Sequence, residues 1–227
     1  MIIMSYIYMK SLENKAEKYD KGIQLLTLGK LSEIHEEIVE KYLNKGEYLL
    51  DLGMGTGSFA ISCAKKGLKV VGIDKSEKML SVARKKIEEQ NLTDKIKIIK
   101  LSVIELDTHF QDNSFDKVIA SLLFSELYEK EREFCIKQIY RILKPNGEFI
   151  LLDEVKPDIF WKKMIYTMIR IPLLIFTFIS THLTTHPLKN IEILLINQRF
   201  LITDTKNYLL DSLKLIRAKK LNNKMGK

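Results

Sequence analysis

The 227-residue chain predicts an α/β fold: a seven-stranded, mostly parallel sheet with helices on both faces and an inserted hydrophobic helical cap. Three observations predict it. Between Tyr48 and Leu152, short apolar runs alternate with longer stretches of helical period. The apolar runs mostly lack polar alternation, as strands covered on both faces must. The first run passes directly into a glycine-rich turn and then a helix start. Composition agrees, since 46% hydrophobic and 29% charged residues with four prolines sit near the globular average and exclude disordered or fibrous classes.

The expected strands are Tyr48 to Leu52, Val70 to Ile73, Ile96 to Leu101, Lys117 to Leu122 and Phe149 to Leu152. Between them, Met79, Val82, Ala83 and Ile87 form one helical stripe, and Phe134, Cys135, Ile139 and Ile142 form another. Gly67 is placed to end a helix, and Pro145-Asn146-Gly147 reads as a turn before the fifth strand. Upstream, Ile34, Ile38 and Tyr42 recur behind Ser32, an N-cap candidate. Downstream, Arg199 to Ile202 and Leu209 to Ala218 read as two last strands. The resulting division is a helical lead-in over 1–30, a ligand-binding core over 31–155, a cap over 156–190, a closing helix and strand pair over 191–218, and a frayed basic tail over 219–227.

Cys63 and Cys135 lie 72 positions apart with no Cys-x-x-Cys pairing, so neither a zinc knuckle nor a disulfide framework follows, and a reducing cytoplasm is the expected setting. The N-terminus lacks the basic stretch and cleavage site of a signal peptide. Within the cap, the apolar run Ile171 to Ile179 is too short for a spanning helix, which needs about 20 residues. Trp161-Lys162-Lys163 and Arg170 beside it suggest a lid, or peripheral membrane contact through 159–180. A net charge of +8 is spread along the chain without aromatic interleaving, so no nucleic-acid partner is expected.

The turn Asp51-Leu52-Gly53-Met54-Gly55-Thr56-Gly57 carries glycines at alternate positions, where backbone must approach a ligand closely. It departs from the Gly-x-Gly-x-x-Gly spacing of dinucleotide sites, and Asp51 would repel a pyrophosphate while favouring a cation. Asp74 ends the second strand 21 residues after Gly53, a spacing suited to the hydroxyls of a ribose. A nucleoside with a positively charged appendage satisfies both acids.

These residues resemble the class I S-adenosylmethionine-dependent methyltransferases, with their Rossmann-like seven-stranded sheet, in the methyltransferase domain 11 group that includes the quinone methylases. Phe115 to Ser121 matches that family's fourth strand, and Leu143-Lys144-Pro145-Asn146-Gly147 its Leu-Lys-Pro-x-Gly turn. The resemblance runs from about Tyr19 to Leu215 and implies S-adenosyl-L-methionine as the cofactor. It places Asp51, Gly53, Met54, Gly55 and Gly57 around the methionine moiety and Asp74 on the ribose. Tyr19, Lys75, Met79, Ser102, Val103 and Ser121 complete the implied cofactor site. Ser102 departs from the acid or amide usual there, so adenine recognition falls to the Val103 backbone and to Lys75 and Met79.

The acceptor is less defined. Ser121-Leu122-Leu123-Phe124-Ser125-Glu126 lacks the Asn-Pro-Pro-Tyr loop of enzymes that methylate planar amino groups. Glu126 is a candidate base. His186, in Thr184-Thr185-His186-Pro187, is a candidate acceptor-site residue. His182 and His186 share a helical spacing, but no glutamate follows and Pro187 stops any helix, so no metal is expected. His35 and His109 read as surface residues. Ser5 to Lys10, Tyr19 to Ile23 and Thr184 to Pro187 further resemble the corrinoid protein-associated methyltransferases, which implies a corrinoid protein as partner. A membrane-borne quinone or lipid is the alternative acceptor, and a catalytically silent S-adenosylmethionine-binding partner protein is the third reading.

Overall fold

The computed structural model describes residues 16–27, 29–168, 171 and 186–221. Two helices, α1 (Ala16–Thr27) and α2 (Lys30–Tyr42), lead into β1 (Tyr48–Leu52). Alternation follows through α3 (Ser58–Lys66), β2 (Lys69–Asp74), α4 (Glu77–Glu89), β3 (Ile96–Lys100), the short α5 (Leu106–His109), β4 (Phe115–Ser121), α6 (Glu129–Ile142) and β5 (Leu143–Glu154). The cap contributes α7 over residues 160–168, and α8 (Ile191–Asn197) precedes the hairpin of β6 (Phe200–Tyr208) and β7 (Leu213–Lys220). The apolar run expected over 171–179 and His182 fall almost wholly outside the described residues.

One seven-stranded sheet has the order β3-β2-β1-β4-β5-β7-β6, parallel except for β7, which runs antiparallel to both neighbours. This is the expected seven-stranded α/β sheet. Alternate residues of each strand enter two separate cores. Leu49, Val70, Ile119 and Ile150 face α2, α3 and α4. Leu50, Val71, Val118 and Phe149 face α6 and α8. Each fully buried side chain of this size contributes about 1.5–3 kcal/mol, which explains why the strand sequences are apolar without alternation.

The chain reverses its direction of growth between β1 and β4, and ligands of open α/β sheets bind at such a crevice beyond the carboxyl ends of the strands.

Several boundaries differ from the sequence reading. Helix α2 starts two residues before Ser32, behind Gly29 at φ 75°, so Ser32 lies inside the helix. Pro145-Asn146-Gly147 does not precede β5 but bulges within it: Phe115 pairs with Leu143 and Lys117 with Glu148, leaving the turn looped out with Asn146 at φ 65°. The last strand begins at Leu213, not Leu209, because Leu209, Leu210 and Asp211 all take left-handed backbone and make the hairpin turn. Gly67 ends α3 as expected, at φ 99°, its N–H donating to the Ala64 and Cys63 carbonyls.

Candidate active site

A cleft of about 430 Å³ opens where the carboxyl ends of β1, β2 and β4 meet. Its floor is the glycine turn. Gly53 (φ 69°), Gly55 (φ 55°) and Gly57 (φ 76°) are all left-handed, and a Cβ on Gly53 would lie 3.2 Å from Leu123 Cδ1, so a side chain there would be strained and crowd the cleft wall. Met54 N–H donates to the Ile73 carbonyl (2.9 Å), tying the turn to β2.

Asp74 braces this turn from the side. One carboxylate oxygen accepts the Gly55 N–H at 2.9 Å and the other accepts the Ser76 N–H at 2.8 Å. Burial raises its pKa above the ordinary carboxylate range, while those two N–H groups pull it back down. Ser76 then caps α4.

Asp51 lies deeper, in β1, and is 3% exposed. Its Oδ2 has no hydrogen-bond partner among the described residues. Burial, then the negative charge of Asp74, pushes its pKa up to about 7. An uncompensated buried carboxylate beside a cleft gains from a cationic ligand.

Of the residues the sequence analysis placed around the cofactor, Tyr19, Gly53, Gly55, Asp74, Lys75, Met79, Ser102, Val103 and Ser121 line the cleft, together with Glu126 and His186. Asp51, Met54 and Gly57 do not. The Met54 side chain folds down onto Gly72, where an added Cβ would lie 2.2 Å from its Sδ, and Gly57 packs against Ala83 as the N-cap of α3. Ser102 is the N-cap of the 3-10 turn Val103–Glu105, its N–H donating to the Glu105 carboxylate at 3.0 Å.

The far wall is the 3-10 turn Phe124–Glu126, after β4, meeting the segment from His186. His186 N–H donates to the Ser125 carbonyl, and its own carbonyl accepts from Arg132 Nη2, both at 2.9 Å. Arg132 Nε also donates to the Phe124 carbonyl at 2.8 Å, so one guanidinium clamps both halves of the wall. The buried Asp153 carboxylate accepts the Ser125 N–H from behind at 3.1 Å. Glu126 is nearly buried and faces the Lys75 ammonium at 3.9 Å. Arg132 is not legible in the sequence, where it sits among Glu129, Glu131 and Glu133 like any solvated helix charge.

One further feature corrects the sequence reading, and another adds to it. His35 is not a surface residue: its Nε2 lies 2.8 Å from Ser121 Oγ, its ring meets the Phe59 ring edge-on at 4.9 Å, and burial lowers its pKa to about 4. Asp20, on α1 beside Tyr19, accepts from Thr56 Oγ1 (2.6 Å) and Lys86 Nζ (2.8 Å), which ties the N-terminal helix to the glycine turn.

Comparison with known proteins agrees with this geometry. Residues 50–151 match the family model described as methyltransferase domain. A demethylmenaquinone methyltransferase of Symbiobacterium thermophilum is 34% identical over 156 residues, 66% of this chain and 60% of that protein. A ubiquinone/menaquinone biosynthesis C-methyltransferase of Rickettsia prowazekii is 32% identical over 62% of this chain and 58% of its own length. The chain thus spans about three fifths of the length of these relatives. A solved S-adenosylmethionine-dependent methyltransferase from Methanosarcina mazei superposes with a TM-score of 0.66 at 24% identity, covering 81% of this chain and 97% of the other, and so shares the fold. Sheet order, glycine turn, strand-end acid and family match converge: residues 50–151 match a methyltransferase domain, within a fold shared with a solved S-adenosylmethionine-dependent methyltransferase.

Proposed function

We propose that the protein transfers a methyl group from S-adenosylmethionine to a ring carbon of a quinone-type acceptor in its reduced, hydroxylated form. The observation that carries the donor half is the cleft floor, where the turn meets the cleft with Gly53 and Gly55, braced by Asp74 and backed by the partnerless oxygen of Asp51. The acceptor half is supported by the printed names of the relatives, which refer to menaquinone and ubiquinone biosynthesis. The corrinoid partner implied by the narrower resemblance draws on Ser5 to Lys10 and Thr184-Thr185, outside the described residues, and the relatives' names favour the quinone over it.

In this reading Asp74 receives the ribose hydroxyls on lone pairs left over from the Gly55 and Ser76 bonds. Met79 and Val103 give apolar surface to the adenine. Gly53, Gly55 and Ser121 surround the methionine part, and Asp51 balances its positive charge from below. S-adenosylmethionine, when bound, supplies a sulfonium-activated methyl group. Glu126 and His186 stand on the acceptor wall, where Glu126 takes the acceptor's hydroxyl proton and raises the electron density of the ring carbon. With the donor bound, that carbon would take the methyl group while the C–S pair stays on sulfur; the ring proton would pass to water, and Glu126 would return its proton to the acceptor oxygen. Leu123 and Leu127 keep water from the transfer axis.

The test is incubation of the purified protein with methyl-labelled S-adenosylmethionine and a chemically reduced 2-unsubstituted naphthoquinone in detergent. Label should enter the organic phase as ring C-methyl product. Tight donor binding by calorimetry with all label remaining in water would overturn the acceptor assignment.

A further inference from the structure

The cap presents to solvent a surface that the donor cleft does not use. On α7, Trp161, Met164 and Met168, with Ile171 beyond, recur at helical spacing on one outward stripe, and they are 50%, 51%, 68% and 50% exposed. Phe160 beside them is 81% exposed. The opposite face of α7 is anchored inward, where buried Tyr166 donates its hydroxyl to Glu154 at 2.6 Å. Helix α8 repeats the pattern, burying Ile191 and Leu195 while exposing Ile193 and Ile196. Two neighbouring helices therefore hold apolar residues away from the core, which a water-facing surface does not reward.

Between the two helices runs a groove of about 750 Å³, bordered by Ile159 and Ile193. Its charges are unbalanced. Asp211 is paired with Lys162 at 2.6 Å and Glu192 with Lys214 at 2.5 Å. Lys156, Lys163 and Lys189 also line the groove, are exposed, and make no ion pair among the described residues, against one remaining acid, Asp158. A cationic groove flanked by outward apolar side chains matches the two layers of an anionic membrane surface: phosphate at the depth of the lysines, acyl chains at the depth of Trp161 and Met168. The groove also adjoins the donor cleft through one short segment, since His186 lines the cleft and Leu188-Lys189-Asn190 lines the groove.

We propose that this face docks on anionic lipid, with a lipid phosphate seated among Lys156, Lys163 and Lys189 and the α7 stripe lying in the interface, so that the mouth of the cleft is presented to a membrane-dissolved acceptor. The proposal deepens the quinone reading, yet it rests on the cap surface, and its test measures vesicle binding and not methyl transfer.

The experiment is flotation of the full-length protein with phosphatidylglycerol vesicles and with phosphatidylcholine vesicles, at low and at high salt. The protein floats with the anionic vesicles, at least tenfold more tightly than with the neutral ones, and is released by salt. Each of Lys156→Gln, Lys163→Gln and Lys189→Gln weakens this by about fivefold. Trp161→Asp with Met164→Asp abolishes flotation on either vesicle while calorimetric S-adenosylmethionine binding, the control for an intact fold, stays unchanged. Inorganic phosphate at millimolar concentration does not displace the protein from vesicles; displacement would make the groove a site for free phosphate and overturn the lipid assignment. Equal binding to both vesicle types would overturn it, as would failure to float. So would a stable dimer in sedimentation that Trp161→Asp dissolves, since a second copy would then cover the stripe.

Discussion

The imidazole of His35, on α2, meets the hydroxyl of Ser121, at the end of β4, with 2.8 Å between Nε2 and Oγ. This contact across 86 residues joins the helical layer to the cleft wall, and burial keeps the ring neutral by lowering its pKa to about 4. His35→Ala is expected to weaken S-adenosylmethionine binding by about three- to tenfold, the worth of one hydrogen bond, with His35→Gln recovering part of it. Titration calorimetry measures this. The pH dependence has a definite sign. Because the folded pKa lies below the unfolded value near 6.5, the unfolded chain binds the proton first, and stability is lost as pH falls from about 6.5 towards about 4. Thermal melts of wild type and His35→Gln should converge over that window.

Asp51 carries the opposite sign. Its folded pKa of about 7 exceeds the ordinary carboxylate value, so ionisation opposes folding and ligand-free stability falls as pH rises from about 4 to about 7. Each pKa unit is worth about 1.4 kcal/mol. Asp51→Asn should therefore gain stability relative to wild type as pH rises through this range, while binding the cationic donor more weakly. Melting curves at pH 4.5, 6 and 8, with donor titrations at pH 8, separate the two effects.

Asp74→Ala removes the acceptor of both the Gly55 and the Ser76 N–H. Hydrogen bonds to a charged group are worth about 1.5–3 kcal/mol each, so donor affinity should fall by at least tenfold, with Asp74→Asn in between. A variant with unchanged calorimetric affinity would show that the brace does not shape the site.

Gly72 and Met54 form a packing pair beneath the turn. A Cβ at Gly72 would fall 2.2 Å from Met54 Sδ and 2.6 Å from its Cε. Gly72→Ala should cost about 1–3 kcal/mol in chemical denaturation. Shortening the methionine in Gly72→Ala/Met54→Val should restore most of it, a non-additivity that a double-mutant cycle reads directly.

The five parallel strands were legible because burial on both faces demands uninterrupted apolar runs, and Tyr48 to Leu52 was read to the residue. The glycine turn and Asp74 were legible because the local backbone itself demands them. The hairpin turn at Leu209 to Asp211 was not, because two of its three left-handed residues are leucines and only Asp211 is a residue common in turns. The β5 bulge was half legible: Pro145-Asn146-Gly147 signals a turn, but only the pairing of Leu143 with Phe115 shows that the strand has already begun.

The sequence by itself determined the sheet, the turn that meets the donor, and the acid at the end of β2, since each depends on residues near one another in the chain. Tertiary structure alone decided that Met54 and Asp51 lie beneath the cleft, that His35 reaches Ser121, and that Arg132 ties Phe124 to His186. Those contacts join segments up to 86 residues apart, and a charged or aromatic residue on a helix reads the same in sequence whether its partner is water or another element. Only the packed layers choose between them.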